Sequence, residues 1–176
     1  MDAIENIMTR KSERVYTDRR ISDEDLHTIL MAGMSGPSCT NARDWSFIVV
    51  RDKKTLHKMA EASGRPAEPL KNADLGILVC GDLDRAFPRA KDYWVIDGSI
   101  AAENMILAAH ALGIGSVWLG TWPQMERVEN QAKLFGLPDS AVPHSIIAFG
   151  YPTEEEASKP KKNTEFEADR VHYEKW

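Results

Sequence analysis

At 176 residues, 43% of them hydrophobic, the chain is one domain long and able to bury a core without disulfides or a structural metal. Charged residues make up 28%, the balance of a globular protein, which excludes a disordered one. The net charge of −5 argues against wholesale nucleic-acid binding, while leaving room for a local basic patch that holds a phosphate.

In the opening segment, Asp2 to Met8, Ile4, Ile7 and Met8 stand at helical spacing. Ser22 with Asp25 three residues on starts a second helix, with Leu26, Ile29, Leu30 and Gly33 on one face. The breakers and short polar residues of Gly36-Pro37-Ser38-Cys39-Thr40-Asn41 make a loop. Ser46 to Val50 reads as a β-branched strand, and Asp52 can cap the helix that follows, to about Ser63. Leu75 to Cys80 is apolar on both faces, so it belongs in the middle of a sheet.

The longest predicted helix runs from Ala90 to Gly113. Trp94, Ile96, Ile100, Met105, Ile106, Leu107 and Leu112 spread round nearly its whole circumference, which predicts cover on every side, from this chain or from a partner subunit. Gly115 to Gly120 and Ser145 to Phe149 complete four strands, with a helix from Gln124 to Phe135 between them. After Pro152 the composition turns highly charged, yet Phe166, Tyr173 and Trp176 remain. A floppy tail is the plainer reading of that end, and an arm that packs on a partner subunit is favoured here. The pattern is α+β, helices on both faces of a small sheet, in a single domain over 1–176 with the arm at about 153–176.

Two cysteines, Cys39 in a polar loop and Cys80 in an apolar run, form no CxxC and point to a reducing compartment. Met1-Asp2-Ala3-Ile4-Glu5 lacks the basic-then-apolar design of a signal peptide, and no apolar stretch is long enough to span a membrane. The cytoplasm is the expected location.

Chemistry-bearing residues gather in four places. In Arg10-Lys11-Ser12-Glu13-Arg14, an extended backbone would point residues 10, 12 and 14 the same way, offering two guanidinium groups and a hydroxyl to a phosphate or an electron-rich heterocycle. The alternative is that these cations only offset a helix dipole. The loop Pro37-Ser38-Cys39-Thr40-Asn41 offers two hydroxyls and an amide just before Trp45, where the plainer reading is a helix–strand connector. Gly113-Ile114-Gly115 followed by Trp118-Leu119-Gly120 is no dinucleotide fingerprint, because it follows a helix and begins a strand; the backbone beside Gly120 can still approach a flat ligand. Lys159 and Lys161 alternate in a basic run that, alone, reads as solvated charge. His27, His57, His110, His144 and His172 are scattered without metal-ligand spacing, and no nucleophile stands with its base. An enzyme of this kind would rely on a bound cofactor for its reaction.

In chain order, these segments resemble the FMN-dependent nitroreductase family in its compact form, from about Ile4 to Trp176. The markers are Arg10-Lys11-Ser12 with Arg14, Gly36-Pro37-Ser38 through Asn41 to Trp45, the helix ending Leu107 to Leu112 with Gly113 to Ser116, and Ala148-Phe149-Gly150-Tyr151-Pro152 before a lysine-rich segment. The resemblance implies a three-layer sandwich around a small mixed or antiparallel sheet, with a C-terminal arm crossing to the partner subunit. It implies a homodimer with two FMN sites, NADH or NADPH as electron donor, and small acceptors such as nitroaromatics or quinones. Arg10 and Ser12 would meet the phosphate and ribityl chain, with Lys161 and Lys159 completing the phosphate site and Lys11 also among the cofactor-binding residues. Arg14 would lie near the flavin N1 and O2. Ser38, Cys39, Asn41 and Arg43 would come from the partner chain, and Trp118, Leu119 and Gly120 would follow the ring's other edge. Family members often carry Gln-Pro before the tryptophan where this chain has Arg43-Asp44, which changes the local charge and sets residue 43 apart from the pattern its role is carried over from. Two other readings use the same residues: an FMN carrier or sensor without turnover, and a helical dimer that binds another phosphate or none.

Overall fold

Four strands hydrogen-bond in the order β1-β2-β4-β3, every neighbouring pair antiparallel, in a computed structural model that describes residues 1–161 and 165–176. They are β1 (Trp45–Val50), β2 (Leu75–Asp82), β3 (Gly115–Gly120) and β4 (Ala141–Gly150). Lys162, the last cation of the basic run, lies outside the described residues. All four strands expected from the sequence are present. β2 sits inside the sheet with both faces covered, as its unbroken apolar run requires. Its side chains alternate between two cores. Leu75, Ile77 and Val79 pack with Ile29, Met105, Ile106 and Phe149, whereas Leu78 and Cys80 pack with Leu56, Met59, Leu70 and Ile146.

Helices α2 (Asp23–Ser35) and α4 (Trp94–Ala111) supply the first core, and α3 (Lys53–Ser63) and α5 (Met125–Phe135) flank the second. The layers are thus helix, sheet, helix. Local chemistry sets the helix starts: Ser22 Oγ accepts the Asp25 N–H at 3.0 Å and the Asp52 carboxylate accepts the Thr55 N–H at 2.8 Å. Gly33 is worth its poor helix propensity because a Cβ there would stand 2.8 Å from Met105 Cγ, so only glycine lets α2 and α4 pack this closely.

The long helix is shorter than its apolar pattern predicts. Lys91–Tyr93 form a 3-10 turn, and α-helical geometry runs from Trp94 to Ala111. Nor is it covered all round within the chain: Ile96 is 51% exposed, and Ile100 and Leu107 are half-buried on the same side. The chain's own sheet and α2 cover the remaining face. Helix α1 (Ala3–Thr9) buries none of its residues and is fastened to α4 by Asn6 Nδ2, which donates to Leu107 O at 3.0 Å.

Past β4, the chain forms a short helix, α6 (Glu154–Ser158), that hydropathy gave no sign of. Thr153 Oγ1 caps it by accepting the Glu156 N–H at 3.2 Å. Of the three tail aromatics, Phe166 is 79%, Tyr173 80% and Trp176 99% exposed. Among the described residues, nothing covers these three side chains.

Candidate functional site

Two segments about 140 residues apart in sequence build one basic cavity of about 710 Å³. The first leaves α1 at Arg10 and runs as an added edge beside the sheet. Ser12 bridges Ser116 of β3 in parallel, Glu13 N–H donates to Ser116 O at 2.9 Å, and Tyr16 bridges Pro152. Glu13 and Tyr16 turn inward, each 7% exposed; Arg10, Ser12 and Arg14 all line the cavity, but so do Lys11 and Val15, so a strict period of two does not hold along this segment. The second segment, with Glu156, Lys159 and Lys161, closes the other wall.

The cations already have work within the chain. Lys11 uses its three donors on the carbonyls of Glu156 at 3.2 Å, Lys159 at 2.5 Å and Ala157, all at the C-terminal end of α6. Lys161 donates to Ile7 O at 3.2 Å and Met8 O at 2.6 Å, the free carbonyls that end α1. Cations that offset a helix terminus and cations that line the cavity are thus the same residues. Arg10 lies 3.6 Å from Glu103, an ion pair open enough to water to exchange for another anion.

Glu156 ties the two segments together and was not foreseen. It is 5% exposed, accepts the Arg14 N–H on one oxygen at 2.8 Å, and pairs with Lys159 on the other at 2.5 Å. Burial pushes its carboxyl up, but the Lys159 ammonium and the Arg14 N–H outweigh that and hold it below the usual carboxylate range. At Glu13, burial is the larger effect, and its carboxyl is raised despite Lys11 at 3.9 Å.

Arg14 Nη1 donates to Ser12 O at 3.2 Å, and the side chain also borders a second cleft, of about 530 Å³, with Arg65, Glu68 and Asn72. Sequence reading missed those three. Arg65 and Glu68 belong to a 3-10 turn, Arg65–Lys71, that ends at Asn72 and whose only signal was a pair of prolines after Gly64.

The Ser38–Arg43 loop stands elsewhere. Cys39–Asn41 form a 3-10 turn, and Thr40, Asn41 and Arg43 all take left-handed φ values of 50°, 58° and 51°. Three such residues so close together are costly, and the fold holds them with specific bonds. Ser38 Oγ accepts the Arg43 N–H at 3.0 Å, and Asp97 accepts the Cys39 N–H. The Arg43 guanidinium lies 5.1 Å over the Trp45 ring, so its charge is spent on stacking. At the end of β3, Leu119 is in the core, and Trp118 meets His144 edge-on at 5.5 Å. Gly120 is exposed, with no atom within 4 Å of where a Cβ would be.

The strand register shows why these groups do not converge within one chain. Ser12 lies at the corner of the sheet where β3 begins, and the loop enters β1 at the diagonally opposite corner, with Trp45 beside Gly81. Three strand spacings and several residues of rise separate them by roughly 20 Å.

A helix–sheet–helix α+β domain with a cation-lined cavity at one sheet edge is the class that fold and site define. The nitroreductase family pattern matches residues 7–79 and 66–151. A protein of Archaeoglobus fulgidus, provisionally named an NADH dehydrogenase/NAD(P)H nitroreductase, is 45% identical over 99% of both chains. The crystal structure of a similarly named protein from Parabacteroides distasonis superposes with a TM-score of 0.90 at 36% identity, covering 98% of each chain. A nitroreductase of Desulfovibrio desulfuricans, solved in complex with FMN and provisionally so named, has a TM-score of 0.80 at 31% identity over 100% of this chain and 99% of that one. This chain belongs to the nitroreductase family.

Proposed function

We propose that the protein is an FMN-dependent oxidoreductase that passes hydride equivalents from NAD(P)H to small acceptors such as quinones or nitroaromatics, acting as a homodimer in the cytoplasm. The observation that carries this reading is the convergence of Arg10, Ser12, Arg14, Lys159 and Lys161 on one cavity. That donor set suits a phosphate ester: forked guanidinium donors, a hydroxyl and ammonium groups meet at a pocket large enough for a cofactor tail. The structure in complex with FMN and the relative's NAD(P)H name support the same choice.

In this reading Arg10, Ser12, Lys159 and Lys161 hold the phosphate end, with Lys11 adding its charge while it anchors α6. Arg14 faces the ring, and its fixed cation favours the reduced, more negative form of a flavin over the neutral oxidised one. The backbone at Gly120 gives a flat ring close approach. Ser38, Cys39, Asn41 and Arg43 serve the site of the partner subunit, since a second copy is what can bring a diagonal corner to this cavity. The exposed Ile96, Phe166, Tyr173 and Trp176 are the surface that copy would cover. Bound FMN supplies the redox chemistry, taking hydride from NAD(P)H and giving it to the acceptor in alternation. Both cysteines are free, which suits a reducing cytoplasm.

Arg10→Ala tests the phosphate grip. Losing one charge-assisted bond worth about 1.5–3 kcal/mol raises the FMN dissociation constant roughly 10- to 100-fold, and riboflavin binds the wild type far more weakly than FMN. Equal affinity for FMN and riboflavin would remove the phosphate role. NADH or NADPH consumption with a quinone separates an enzyme from an FMN carrier, and parallel double-reciprocal lines identify alternation at one ring face.

A further inference from the structure

The Ser38–Arg43 loop hangs from a carboxyl pair. Both oxygens of Asp97, near the start of α4, accept the Cys39 N–H, at 2.9 and 3.1 Å. Asp44, which ends the loop, lies within side-chain hydrogen-bond reach of Asp97. Asp97 is 2% and Asp44 1% exposed. Neither carboxyl oxygen of Asp44 has a hydrogen-bond donor among the described residues. Its backbone carbonyl accepts the Asp82 N–H at 2.6 Å, so a third carboxyl from the end of β2 stands close by.

Two buried carboxylates in contact cannot both stay ionised unless a cation joins them. Among the described residues none does, for no salt bridge reaches Asp44 or Asp97. Arg43 turns to the Trp45 ring, and Arg85 spends Nε on Arg43 O. His144, from β4, bonds Val95 O and Ser99 Oγ, and burial keeps it neutral at ordinary pH. What remains is a proton shared between the two acids. Asp97 already accepts the Cys39 N–H with both oxygens, so Asp44 is the donor.

We propose that Asp44 is a positioning residue: it carries the proton of an Asp44–Asp97 pair and, through Asp97, clamps the Ser38–Arg43 loop onto the start of α4. Burial, and then the charge of Asp97 and its bond to that group, push the Asp44 carboxyl up to about 6, with Asp82 adding to the shift. The clamp is closed below that pH and loosens above it. Its effect on FMN rests on the reading that this loop borders the partner's flavin. The clamp itself does not.

Cys39 reports on the loop directly. Iodoacetamide labelling of the purified protein is followed from pH 5 to 8, with the modified cysteine located by mass spectrometry. The wild-type rate is divided by that of Asp44→Asn at the same pH, which cancels every pH effect the two forms share. The Asp44→Asn amide donates to Asp97 at every pH. The ratio is expected near one at pH 5 and about 10-fold higher at pH 8, as a shift of two pKa units allows at most ~100-fold and burial accounts for part of it. Asp44→Leu, which has no donor, should label fast throughout. A ratio that stays flat with pH overturns the proposal, as does Asp44→Leu labelling as slowly as Asp44→Asn. If Asp44→Leu does not fold, which labelling of the buried Cys80 would reveal, the wild-type to Asp44→Asn ratio decides alone. FMN affinity over the same pH series should tighten below pH 6 in the wild type and not in Asp44→Asn. A rising labelling ratio with no FMN binding in any form would leave the clamp standing and remove the flavin reading.

Discussion

Replacing Gly150 by alanine tests whether the cation-bearing segment is seated on the sheet as the structure has it. The added methyl would meet Tyr16 Cγ at 2.7 Å, Cβ at 2.8 Å and Cδ1 at 2.9 Å. Because Cβ is among the clashing atoms, turning the ring does not relieve the contact, and the backbone from Glu13 to Thr17 must shift. That backbone is held by Glu13 N–H to Ser116 O at 2.9 Å, Thr17 N–H to Tyr151 O at 2.8 Å and Thr153 N–H to Val15 O at 3.2 Å; the Tyr16 hydroxyl donates to Glu13 O. Overpacking costs about 1–3 kcal/mol, and weakening one or two of these bonds adds about 1 kcal/mol each, about 2–5 kcal/mol in all. For a chain of this size, that lowers the melting temperature by roughly 10 °C. Urea unfolding at fixed protein concentration, without added FMN, measures it free of ligand linkage. The same segment carries Arg10, Ser12 and Arg14, so FMN affinity should fall about 10-fold as well, two coupled losses of a few kcal/mol at most. Gly136→Ala is the control: φ there is 61° with nothing within 4 Å, so it costs only about 1 kcal/mol and leaves FMN binding alone. Wild-type stability and FMN affinity in Gly150→Ala would refute the packed-segment account.

Arg14→Gln should lower the two-electron potential of bound FMN by about 20–45 mV, if the lost cation is worth ~1–2 kcal/mol to the reduced form; an unchanged potential in a spectroscopic titration would place Arg14 away from the ring. Removing residues 165–176, with their three exposed aromatics, should weaken the dimer and loosen FMN, as seen by sedimentation at micromolar protein; a full-length monomer that is folded and FMN-loaded would defeat the two-chain site. Stability against pH carries two opposed slopes. Burial lowers the His144 pKa to about 4, so the unfolded chain binds its proton first and stability falls as pH drops below the ordinary histidine range towards 4. Asp44, raised to about 6, has the opposite sign: the folded chain holds the extra proton, and stability falls as pH rises from about 4 to 6. Urea midpoints at pH 4.5 and 6.5 should therefore nearly agree in the wild type, rise with pH in Asp44→Asn and fall with pH in His144→Gln. Parallel behaviour of the two variants would remove the opposition.

Strand identity was legible because burial leaves its mark residue by residue. Leu75 to Cys80 is apolar at every side-chain-bearing position because β2 has a helical layer on each face, and Ser22 and Asp52 mark their helices by local hydrogen bonds. The residue types at Arg10, Ser12 and Arg14 were legible as suited to an anion, but a period of two does not sort this segment, for Lys11 and Val15 line the cavity as well and Tyr16 is buried. Helix α6 was not legible. It is five residues long, its first turn is Glu154-Glu155-Glu156, and it has no apolar stripe to read. The cover expected all round α4 is also absent from the single chain, because periodicity tells that a face is apolar without telling what covers it.

Composition, the α+β pattern, the four strands and the residue types suited to an anionic cofactor were therefore determined by the sequence alone, since each rests on neighbours within a few positions. Only the tertiary structure decided that Lys11 closes α6 and Lys161 closes α1, that Glu156 joins Arg14 to Lys159, and that Asp44 meets Asp97 beneath the loop. Those pairings join residues roughly 50 to 150 positions apart. Their strength depends on burial and on the charge of whatever stands opposite, neither of which a local pattern contains.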